Sequence, residues 1–154
     1  WGYEPLCYMS DIKNNSDKIK GGSLKIVDGD TIHIGKNKYR LHGIDAPETQ
    51  QQCKRENKKY KCGMKATRFL KSLIKDKNKV ICEKKDMDRY KRIVAICYYD
   101  NKDLNKLMVK NGWAIAYRKY SKDYVDDENY ARLNKLGIWK GDFTEPELWR
   151  KQNR

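Results

Sequence analysis

The sequence predicts an α+β protein built on a five-stranded OB-type β-barrel with three helices. Its segments follow the order of three strands, one helix, two strands and two helices, which suits a small barrel with added helices. The chain has 154 residues, which fits one ordinary domain. Its 4 Trp, 11 Tyr and 2 Phe supply apolar surface that disordered chains lack. We therefore expect a globular domain with a very polar surface.

The first half of the barrel is predicted as three strands, over residues 23–27, 31–34 and 38–44. The segment 28–30, with two Asp around a Gly, is a turn signal between the first two strands. Residues 35–37, Gly-Lys-Asn, are typical of the hairpin turn that follows. The three strands are therefore expected to pair as consecutive hairpins.

An irregular segment and a helix follow the third strand. Residues 45–61 are predicted as a long loop, and such loops in small domains are often functional. A helix is predicted over residues 63–75, because apolar residues recur there at the spacing of one helical face. These residues are Ala66, Phe69, Leu70, Leu73 and Ile74.

The second half of the barrel is predicted as strands over residues 78–84 and 92–99. Asn105 is then expected to cap a short helix that ends before Gly112. A third helix is predicted over residues 124–136. These elements complete the set that the barrel requires.

The chain is expected to divide into three parts. Residues 1–22 are polar and irregular, and we expect a loosely held N-terminal arm there. Residues 23–140 form the predicted barrel domain, and residues 141–154 form a C-terminal tail packed on it. The chain begins at Trp1 without an apolar leader, so a processed form is expected.

The charge balance predicts a polyanionic partner. Lys and Arg number 35 and Asp and Glu 21, so the net charge is +14. Nucleic acid, anionic lipid and acidic glycan all fit that charge, and a Lys-rich chain can also reflect a bias in composition. No segment approaches the roughly 18 apolar residues of a membrane span, so a membrane-embedded role is excluded.

The spacing of the cysteines suggests two disulfides. Cys82 and Cys97 lie at similar distances from the turn between the last two predicted strands, which would place them opposite each other. Cys53 and Cys62 would close a short loop, and Cys7 would be left over. Disulfides indicate an oxidising compartment, so we expect a secreted or periplasmic protein. The alternative is that these are reduced cysteines of the core.

Acidic residues cluster at the ends of the predicted strands. Asp28 and Asp30 lie on either side of a Gly, and Asp45 and Glu48 follow the third strand. Acids at turns can be simple turn formers. Carboxylate oxygens are also the ligands that Ca²⁺ and Mg²⁺ prefer, and few protein ligands leave positions for water and phosphate. The cluster therefore indicates a cation site.

Two arginines accompany the acidic cluster in segments that are otherwise rich in Lys. Arg40 lies on the third predicted strand, and Arg92 follows the turn that contains Asp88. A guanidinium can make two parallel hydrogen bonds to a phosphate, which an ammonium group cannot. Together, the acids and the two arginines predict a site for phosphoryl transfer, in which a metal and the arginines stabilise developing charge.

The motifs resemble those of the staphylococcal nuclease (thermonuclease) family. The matching segments occur in the same order as in that family, from about residue 23 to 140. They are the residues Val-Asp-Gly-Asp-Thr at 27–31, Arg-Leu-His-Gly-Ile-Asp-Ala-Pro-Glu at 40–48, Gly-Met-Lys-Ala at 63–66, Asp-Arg-Tyr-Lys-Arg at 88–92, Gly-Trp-Ala at 112–114 and Gly-Ile-Trp at 137–139. The tail through Trp149 and Arg150, together with the cysteine placement, is similar to that of secreted bacterial members of the family.

The resemblance implies a calcium-dependent nuclease that hydrolyses DNA and RNA with little sequence preference, leaving 3′-phosphate and 5′-hydroxyl ends. It makes Asp30 and Asp45 the calcium carboxylates, and gives calcium the main-chain carbonyl of Ala46. It makes Glu48 the catalytic glutamate, as a base or as a residue that orients water. Asp28 lies beside them as a supporting acid. We also expect a monomer with no obligate protein partner and no membrane partner.

The resemblance also assigns the residues that contact the substrate. Arg40 and Arg92 match the two arginines that hold the phosphate. Arg89, Tyr90 and Tyr117 match positions near the bound nucleotide.

Two departures from the family pattern bear on the site. Ala46 stands where the best-known member has Thr, which a backbone ligand tolerates. Lys91 stands where Gly usually precedes the second arginine, and a positive φ there would cost Lys about 1 kcal/mol. The alternative function is a catalytically inactive, basic OB-fold module that only binds nucleic acid. A basic surface protein for lipid or glycan is a third hypothesis.

Overall fold

The computed structural model describes residues 23–154, so the predicted N-terminal arm and Cys7 lie outside the described residues. Ten strands and four α-helices occur in the described part of the chain. The strands are β1 (Leu24–Asp28), β2 (Thr31–Ile34), β3 (Asn37–Leu41), β4 (Ile44–Asp45), β5 (Cys53–Arg55), β6 (Lys58–Tyr60), β7 (Val80–Met87), β8 (Ile93–Tyr99), β9 (Lys102–Asp103) and β10 (Ile115–Ala116). The helices are α1 (Cys62–Leu73), α2 (Leu104–Lys110), α3 (Val125–Leu133) and α4 (Pro146–Gln152).

The main sheet confirms the predicted α+β fold class. Its strand order is β1-β2-β3-β8-β7, with β9 paired to β8. These five longer strands are the five that the sequence predicts. All neighbours are antiparallel except β3 and β8, which are parallel, with Arg40 opposite Val94. Within residues 23–154, β1 and β7 do not pair with each other, so backbone hydrogen bonds do not close the sheet into a ring.

The third predicted strand ends earlier than expected. Gly43 has φ +74°, a conformation that turns the chain and that glycine adopts without strain. Strand β3 therefore ends at Leu41, and β4 leaves the main sheet to pair with β10, where Asp45 lies opposite Ile115. This turn carries Asp45 away from the sheet and towards the β1–β2 loop.

The predicted loop over residues 45–61 contains a hairpin, β5–β6. Glu56 and Asn57 both have positive φ, which is the geometry of a tight two-residue hairpin turn. The Cys53–Cys62 disulfide joins the hairpin to the start of α1, with the Cα atoms 5.6 Å apart. The second disulfide joins Cys82 and Cys97, which lie opposite each other in β7 and β8. Both predicted pairings are confirmed.

The helices pack on the sheet largely as the sequence predicts. The buried face of α1 is formed by Cys62, Gly63, Ala66, Thr67 and Leu70. Helix α3 lies within the segment predicted for it, whereas α2 begins at Leu104, before the predicted cap at Asn105. No helix among residues 23–154 is long and apolar enough to cross a membrane.

The predicted cap of α2 is wrong. The N-terminal cap is Asp103, whose side chain accepts a hydrogen bond from the backbone N–H of Lys106 at 3.0 Å. Asn105 is instead fully buried in the first turn of the helix. Its side-chain oxygen accepts the backbone N–H of Cys97, and its side-chain nitrogen donates to the carbonyls of His42 and Ala95. Asn is a common helix cap because its side chain can hydrogen-bond to backbone groups. In Asn105 the same groups bond to the backbone of other segments instead of capping the helix.

The C-terminal tail forms a fourth helix that the sequence analysis does not predict. Pro146 occupies the first turn of α4, a position where its missing N–H is not needed. The hydroxyl of Tyr117 donates to Glu147 at 3.1 Å, and the side chain of Gln51 donates to the carbonyl of Thr144 at 2.7 Å. The helix is therefore held against the loops that follow β4 and β10.

Candidate active site

Two buried carboxylates form the centre of the site. Asp30 ends the turn between β1 and β2 and is 3% exposed, and Asp45 ends β4 and is fully buried. The Oδ2 atom of Asp30 accepts the backbone N–H of Ala46 at 2.9 Å, and its Oδ1 accepts the hydroxyl of Thr31 at 3.1 Å. The β1–β2 turn and the segment after β4 are thus joined directly at the acids.

Gly29 permits this close approach of the two segments. A Cβ at this position would lie 2.7 Å from the Cβ of Ala46 and 3.1 Å from that of Ala66. Asp28, on the other side of Gly29, accepts the backbone N–H of Asp30 at 3.0 Å. The Asp-Gly-Asp sequence therefore serves as a turn and also as the surface against which Ala46, the residue after Asp45, packs.

Arg40 bridges the two buried acids. One terminal nitrogen of its guanidinium lies 3.3 Å from Asp45 and 3.4 Å from Asp30, and the other donates to the carbonyl of Leu41. Its side chain is only 13% exposed. The guanidinium carbon lies 5.9 Å from the centre of the Tyr117 ring. The sequence-predicted residues Asp30, Asp45, Arg40 and Tyr117 therefore lie together.

Glu48 is positioned by its backbone. Its N–H donates to the side chain of Gln51 at 3.2 Å, and its carbonyl accepts the N–H of Gln51 at 2.7 Å. A Cβ on Gly63, in the first turn of α1, would lie 1.7 Å from the Glu48 carbonyl oxygen, so only glycine fits there. The side chain of Glu48 remains about one quarter exposed, at the edge of the acidic cluster.

Arg92 lies on a different hairpin from the acids. Its Nε donates to Asp88 at 2.7 Å, and the backbone N–H of Arg92 donates to the same carboxylate. Among the described residues it makes no contact with Asp30, Asp45 or Glu48.

The sheet nevertheless aligns Arg92 with the site. Val94 pairs with Arg40, and Arg92 lies two residues before Val94, just before β8 begins, so strand alternation continued to Arg92 would place the two arginines on the same face of the sheet. One strand spacing and two residues separate their backbones, about 5 Å across and about 7 Å along. Two long side chains at that separation can reach one phosphate group.

Arg89 and Tyr90 form the exposed tip of the same hairpin. Arg89 donates to the Tyr90 hydroxyl at 3.0 Å, and both Arg89 and Arg92 lie over the Tyr90 ring. The Tyr90 side chain is 63% exposed. Lys91 in the turn has φ 64°, so the positive φ considered from the sequence occurs.

Arg150 is a residue of the site that the sequence analysis misses. Its guanidinium donates to both carboxylate oxygens of Asp45, at 2.9 and 3.2 Å, and lies 3.5 Å from Oε1 of Glu48. The residue is on α4, within the segment that the sequence predicts only as a tail packed on the domain. The Trp-Arg pair at 149–150 is visible in the sequence, but it carries no spacing signal that would connect it to Asp45.

Burial and mutual repulsion separate the pKa values of Asp28 and Asp30. Burial, together with the nearby charge of Asp30, raises the pKa of Asp28 to about 8. Burial also opposes ionisation of Asp30, but the charge of Arg40 and several hydrogen bonds hold its pKa below the usual value. At neutral pH the pair therefore carries one negative charge, on Asp30, and one proton.

Burial also raises the pKa values of the other two acids. The pKa of Asp45 is raised to about 6 by burial, against the lowering effect of Arg150 and Arg40. Burial and the charge of Asp30 raise the pKa of Glu48. Asp45 is therefore largely ionised at neutral pH, and the pKa of Glu48 lies above its usual value.

The donor set fits a hard cation with few protein ligands. Asp30 and Asp45 offer carboxylate oxygens, and among the described residues no hydrogen bond ends at the carbonyl of Ala46 between them. Within residues 23–154, no three Asp, Glu, His or Cys side chains converge closely enough to hold a metal by themselves. A calcium ion at Asp30, Asp45 and the Ala46 carbonyl would thus take its remaining oxygen ligands from water and substrate.

The fold and the site together define an OB-type α+β domain with a carboxylate–guanidinium cluster suited to phosphate esters. Comparison with known families assigns the chain more narrowly. Residues 38–141 match the family described as staphylococcal nuclease homologue, so the chain belongs to that family. The matched segment contains Arg40, Asp45, Glu48 and Arg92, whereas Asp30 precedes it and Arg150 follows it.

Individual relatives support the family assignment. An uncharacterized endonuclease of Haemophilus influenzae is 37% identical over 139 residues, covering 85% of this chain and 72% of the relative. The micrococcal nuclease of Shigella flexneri is 31% identical over 154 residues, covering 88% and 83%. The succinoglycan biosynthesis protein ExoI of Rhizobium meliloti is 33% identical over 122 residues, covering 77% and 64%.

Proposed function

We propose that the protein is a calcium-dependent nuclease that hydrolyses phosphodiester bonds of DNA and RNA with little sequence preference. The observation that carries the proposal is the buried pair of Asp30 and Asp45, bridged by Arg40 and joined through the Ala46 backbone. Such a pair can share a cation with a phosphodiester, and Arg40 lies where a phosphate would approach. Relatives named endonuclease and micrococcal nuclease support the same activity.

The chain's own residues divide the work of the reaction. Asp30, Asp45 and the Ala46 carbonyl would hold calcium, with Asp28 bonded to the Asp30 backbone behind them. The ion supplies positive charge that stabilises the charge developing on the phosphate. Arg40 is held between the two acids and, with Arg92 from the same sheet face, would donate hydrogen bonds to phosphate oxygens.

Glu48 would act on the attacking water. Its raised pKa and partial exposure suit a group that accepts or directs a proton at the edge of the cluster. Water attack would release the 5′-oxygen and leave 3′-phosphate and 5′-hydroxyl ends. Arg89, Tyr90 and Tyr117 would contact the nucleotide on either side of the phosphate.

The first experiment is a cleavage assay on single-stranded DNA and RNA, in millimolar calcium and in excess chelator. Cleavage that requires calcium supports the proposal. Binding of the polymers without cleavage, under every divalent metal tried, would overturn it in favour of the inactive nucleic-acid-binding module. End-labelling of the products tests the expected 3′-phosphate and 5′-hydroxyl ends.

The role of Glu48 is tested by Glu48→Gln, which keeps the shape and hydrogen-bonding backbone of the residue. We expect turnover to fall by several orders of magnitude, because a neutral amide cannot take a proton from water. Glu145→Gln is the matched control, since Glu145 is exposed and its side chain makes no cap hydrogen bond to α4. Near-normal turnover with folded protein would remove Glu48 from the reaction.

The cellular location is proposed on the disulfides. The Cys53–Cys62 and Cys82–Cys97 bonds both join buried cysteines and favour an oxidising compartment, so we propose a secreted or periplasmic enzyme. We also propose that it acts as a monomer, because the acids and arginines of the site all come from one chain. Measurement of mass by light scattering tests the oligomeric state.

A further inference from the structure

Arg150 makes a two-pronged contact with a residue of the proposed calcium site. Its two terminal nitrogens each donate to a different oxygen of Asp45, which is the geometry of the strongest arginine–carboxylate pairs. The Asp45 side chain is 1% exposed and that of Arg150 is 31% exposed. The contact is therefore buried on the acid side and open to solvent on the arginine side.

The helix that carries Arg150 is fixed by contacts beyond this pair. Glu147 accepts the Tyr117 hydroxyl and lies 3.5 Å from Lys119. The segment before the helix is bonded to the β5–β6 hairpin, where the backbones of Lys54 and Asp142 exchange two hydrogen bonds. The position of Arg150 thus follows from the way the whole tail is docked.

The position of Arg150 affects how a cation can bind Asp45, because positive charges already surround this carboxylate. Arg40 and Arg150 both contact Asp45, so one buried carboxylate is shared by two guanidinium groups. A cation that binds Asp45 must share its oxygens with Arg150 or displace it. Arg150 also reaches towards Glu48, and the remaining N–H groups of its exposed side face solvent at the edge of the site.

We propose that Arg150 is a positioning residue of the active site, which orients Asp45 and Glu48 and lowers the affinity of the site for calcium. The inference rests on the proposed function, because it assigns the calcium site to Asp45. Without Arg150, the site would hold calcium more tightly but present its carboxylates less precisely. The lower calcium affinity and the fixed orientation of the carboxylates both arise because the Arg150 guanidinium contacts Asp45 and Glu48 at the same time.

The test compares Arg150→Gln and Arg150→Lys with the wild type, and Lys151→Gln serves as the control on the same helix. Calcium affinity is measured by calorimetry, and kcat and KM are measured on single-stranded DNA. We expect Arg150→Gln to bind calcium roughly tenfold more tightly, because a like charge next to the ion is removed. Its kcat should fall at least about tenfold while KM changes little. Arg150→Lys should keep the wild-type calcium affinity, because the positive charge remains. It should not keep the wild-type kcat, because an ammonium group cannot make the two parallel hydrogen bonds that the guanidinium makes to Asp45.

The possible results separate this inference from the proposed function. A purely structural role would lower thermal stability and calcium affinity together, and that result overturns the inference. Unchanged calcium affinity and kcat in Arg150→Gln, with an active wild type, also overturn it alone. A wild type that neither binds calcium nor cleaves DNA would instead overturn the proposed function.

A second inference concerns a separate cavity of about 310 Å³ beside the β5–β6 hairpin. Tyr60 and Trp113 line it, both half-buried, and Lys65 lies over the Tyr60 ring at 5.4 Å. Glu56 is the only acid in its lining. The basic residues that line the cavity are Arg55, Lys58, Lys59, Lys65 and Lys140. None of them forms an ion pair with any described residue.

The geometry points to a nucleic-acid subsite in this cavity, apart from the residues proposed to carry the reaction. Unpaired cations around aromatic rings are the composition that holds single-stranded nucleic acid, in which lysines contact phosphates and rings contact bases. None of the lining residues belongs to the proposed active site, so the subsite would hold a part of the same strand outside the phosphodiester that is cleaved. This inference also rests on the proposed nucleic-acid substrate.

The test uses the double variant Lys65→Gln/Lys140→Gln, with Lys36→Gln/Lys71→Gln as a control of equal charge. Binding of a labelled single-stranded oligonucleotide is measured in chelator over a range of salt concentrations. We expect the affinity of the cavity variant to fall roughly tenfold and its salt slope to fall by about 1.4, as for two lost phosphate contacts. Cleavage of a dinucleotide bound at the proposed active site should be unchanged, because neither Lys65 nor Lys140 belongs to that site.

Equal losses of affinity in the two double variants would overturn the subsite, because they would show only the effect of net charge. Tighter binding of anionic lipid vesicles than of the oligonucleotide at this cavity would also overturn it. The binding assay requires no cleavage, so its result is independent of whether the enzyme is active.

Discussion

The clearest departure from the family pattern is a single residue in the β7–β8 turn. Lys91 has φ 64°, a conformation that is strained for any residue with a Cβ. We predict that Lys91→Gly raises the free energy of unfolding by about 0.5–1 kcal/mol, since glycine adopts this φ without a steric penalty. Urea unfolding measures the change, with Lys91→Ala as the control that removes the charge but keeps the Cβ. A less stable glycine variant would show that the turn does not strain the lysine.

The next residue is expected to matter for the reaction more than for the fold. Arg92 uses Nε on Asp88, and its two terminal nitrogens make no hydrogen bond to any residue within 23–154, so they would be available to a phosphate. We predict that Arg92→Lys lowers kcat by two orders of magnitude or more, because the planar fork is lost while the charge remains. Steady-state kinetics give kcat, and circular dichroism checks that the fold is retained. A mild effect would mean that Arg92 does not contact the phosphate.

At the residue scale, local spacing in the sequence was enough to predict most of the acidic cluster. Asp30, Arg40 and Asp45 lie within sixteen positions of one another, and their strand ends converge as the pattern indicates. Arg150 could not be predicted in this way. It is 105 positions from Asp45, and only the docking of the tail brings the two together.

At the level of single elements, the β5–β6 hairpin is held by a disulfide together with a small apolar cluster separate from the main core. Most of its residues are exposed, and Cys53 and Cys62 are buried. We predict that the double variant Cys53→Ser/Cys62→Ser loses about 2–3 kcal/mol of stability, as the closure of a short loop implies. Cys82→Ser/Cys97→Ser should lose a similar amount. Thermal and urea unfolding test both, and an unchanged stability would contradict the entropic argument.

The two elements that were not predicted, the β5–β6 hairpin and helix α4, each have a physical reason. The hairpin strands contain charged residues such as Lys54, Arg55 and Lys58, which have little strand preference, and tertiary contacts with the tail hold them in place. The fourth helix has only seven residues, too few for its apolar periodicity to be recognised. The strands and helices with buried alternating or helical patterns were placed within a few residues.

For the molecule as a whole, the raised pKa values predict a link between pH, calcium and stability. The unfolded chain loses the protons of Asp28 and Asp45 near pH 4, whereas the folded protein retains them up to about pH 8 and about pH 6. The stability contributed by the protonated acids is present below pH 4. It is lost as pH rises through the folded pKa values, when charge accumulates in the cluster.

Calcium should reverse this loss. We predict that saturating calcium raises Tm more at about pH 8.5 than at about pH 5.5, because the ion binds the ionised carboxylates and competes with protons. Thermal unfolding at the two pH values, with and without calcium, measures the difference. Asp45→Asn should reduce it, and an equal rise of Tm at both pH values would contradict the assignment of the raised pKa values.

The fold class of the whole molecule was predicted, whereas the boundaries between its arm, domain and tail were not tested. The order of elements defined the α+β class, and the family match over residues 38–141 covers most of the same region. The division into an arm, a domain and a packed tail stays a prediction. The tail is nonetheless where the structure adds most, because a segment beyond the matched region contacts the centre of the site.

The contact between Asp45 and Arg150 also has a consequence for protein synthesis. The ribosome makes Asp45 early and Arg150 more than one hundred residues later, so a nascent chain carries the acids and Arg40 before the helix that completes their arrangement. The enzyme would thus gain full activity only after translation has passed residue 150.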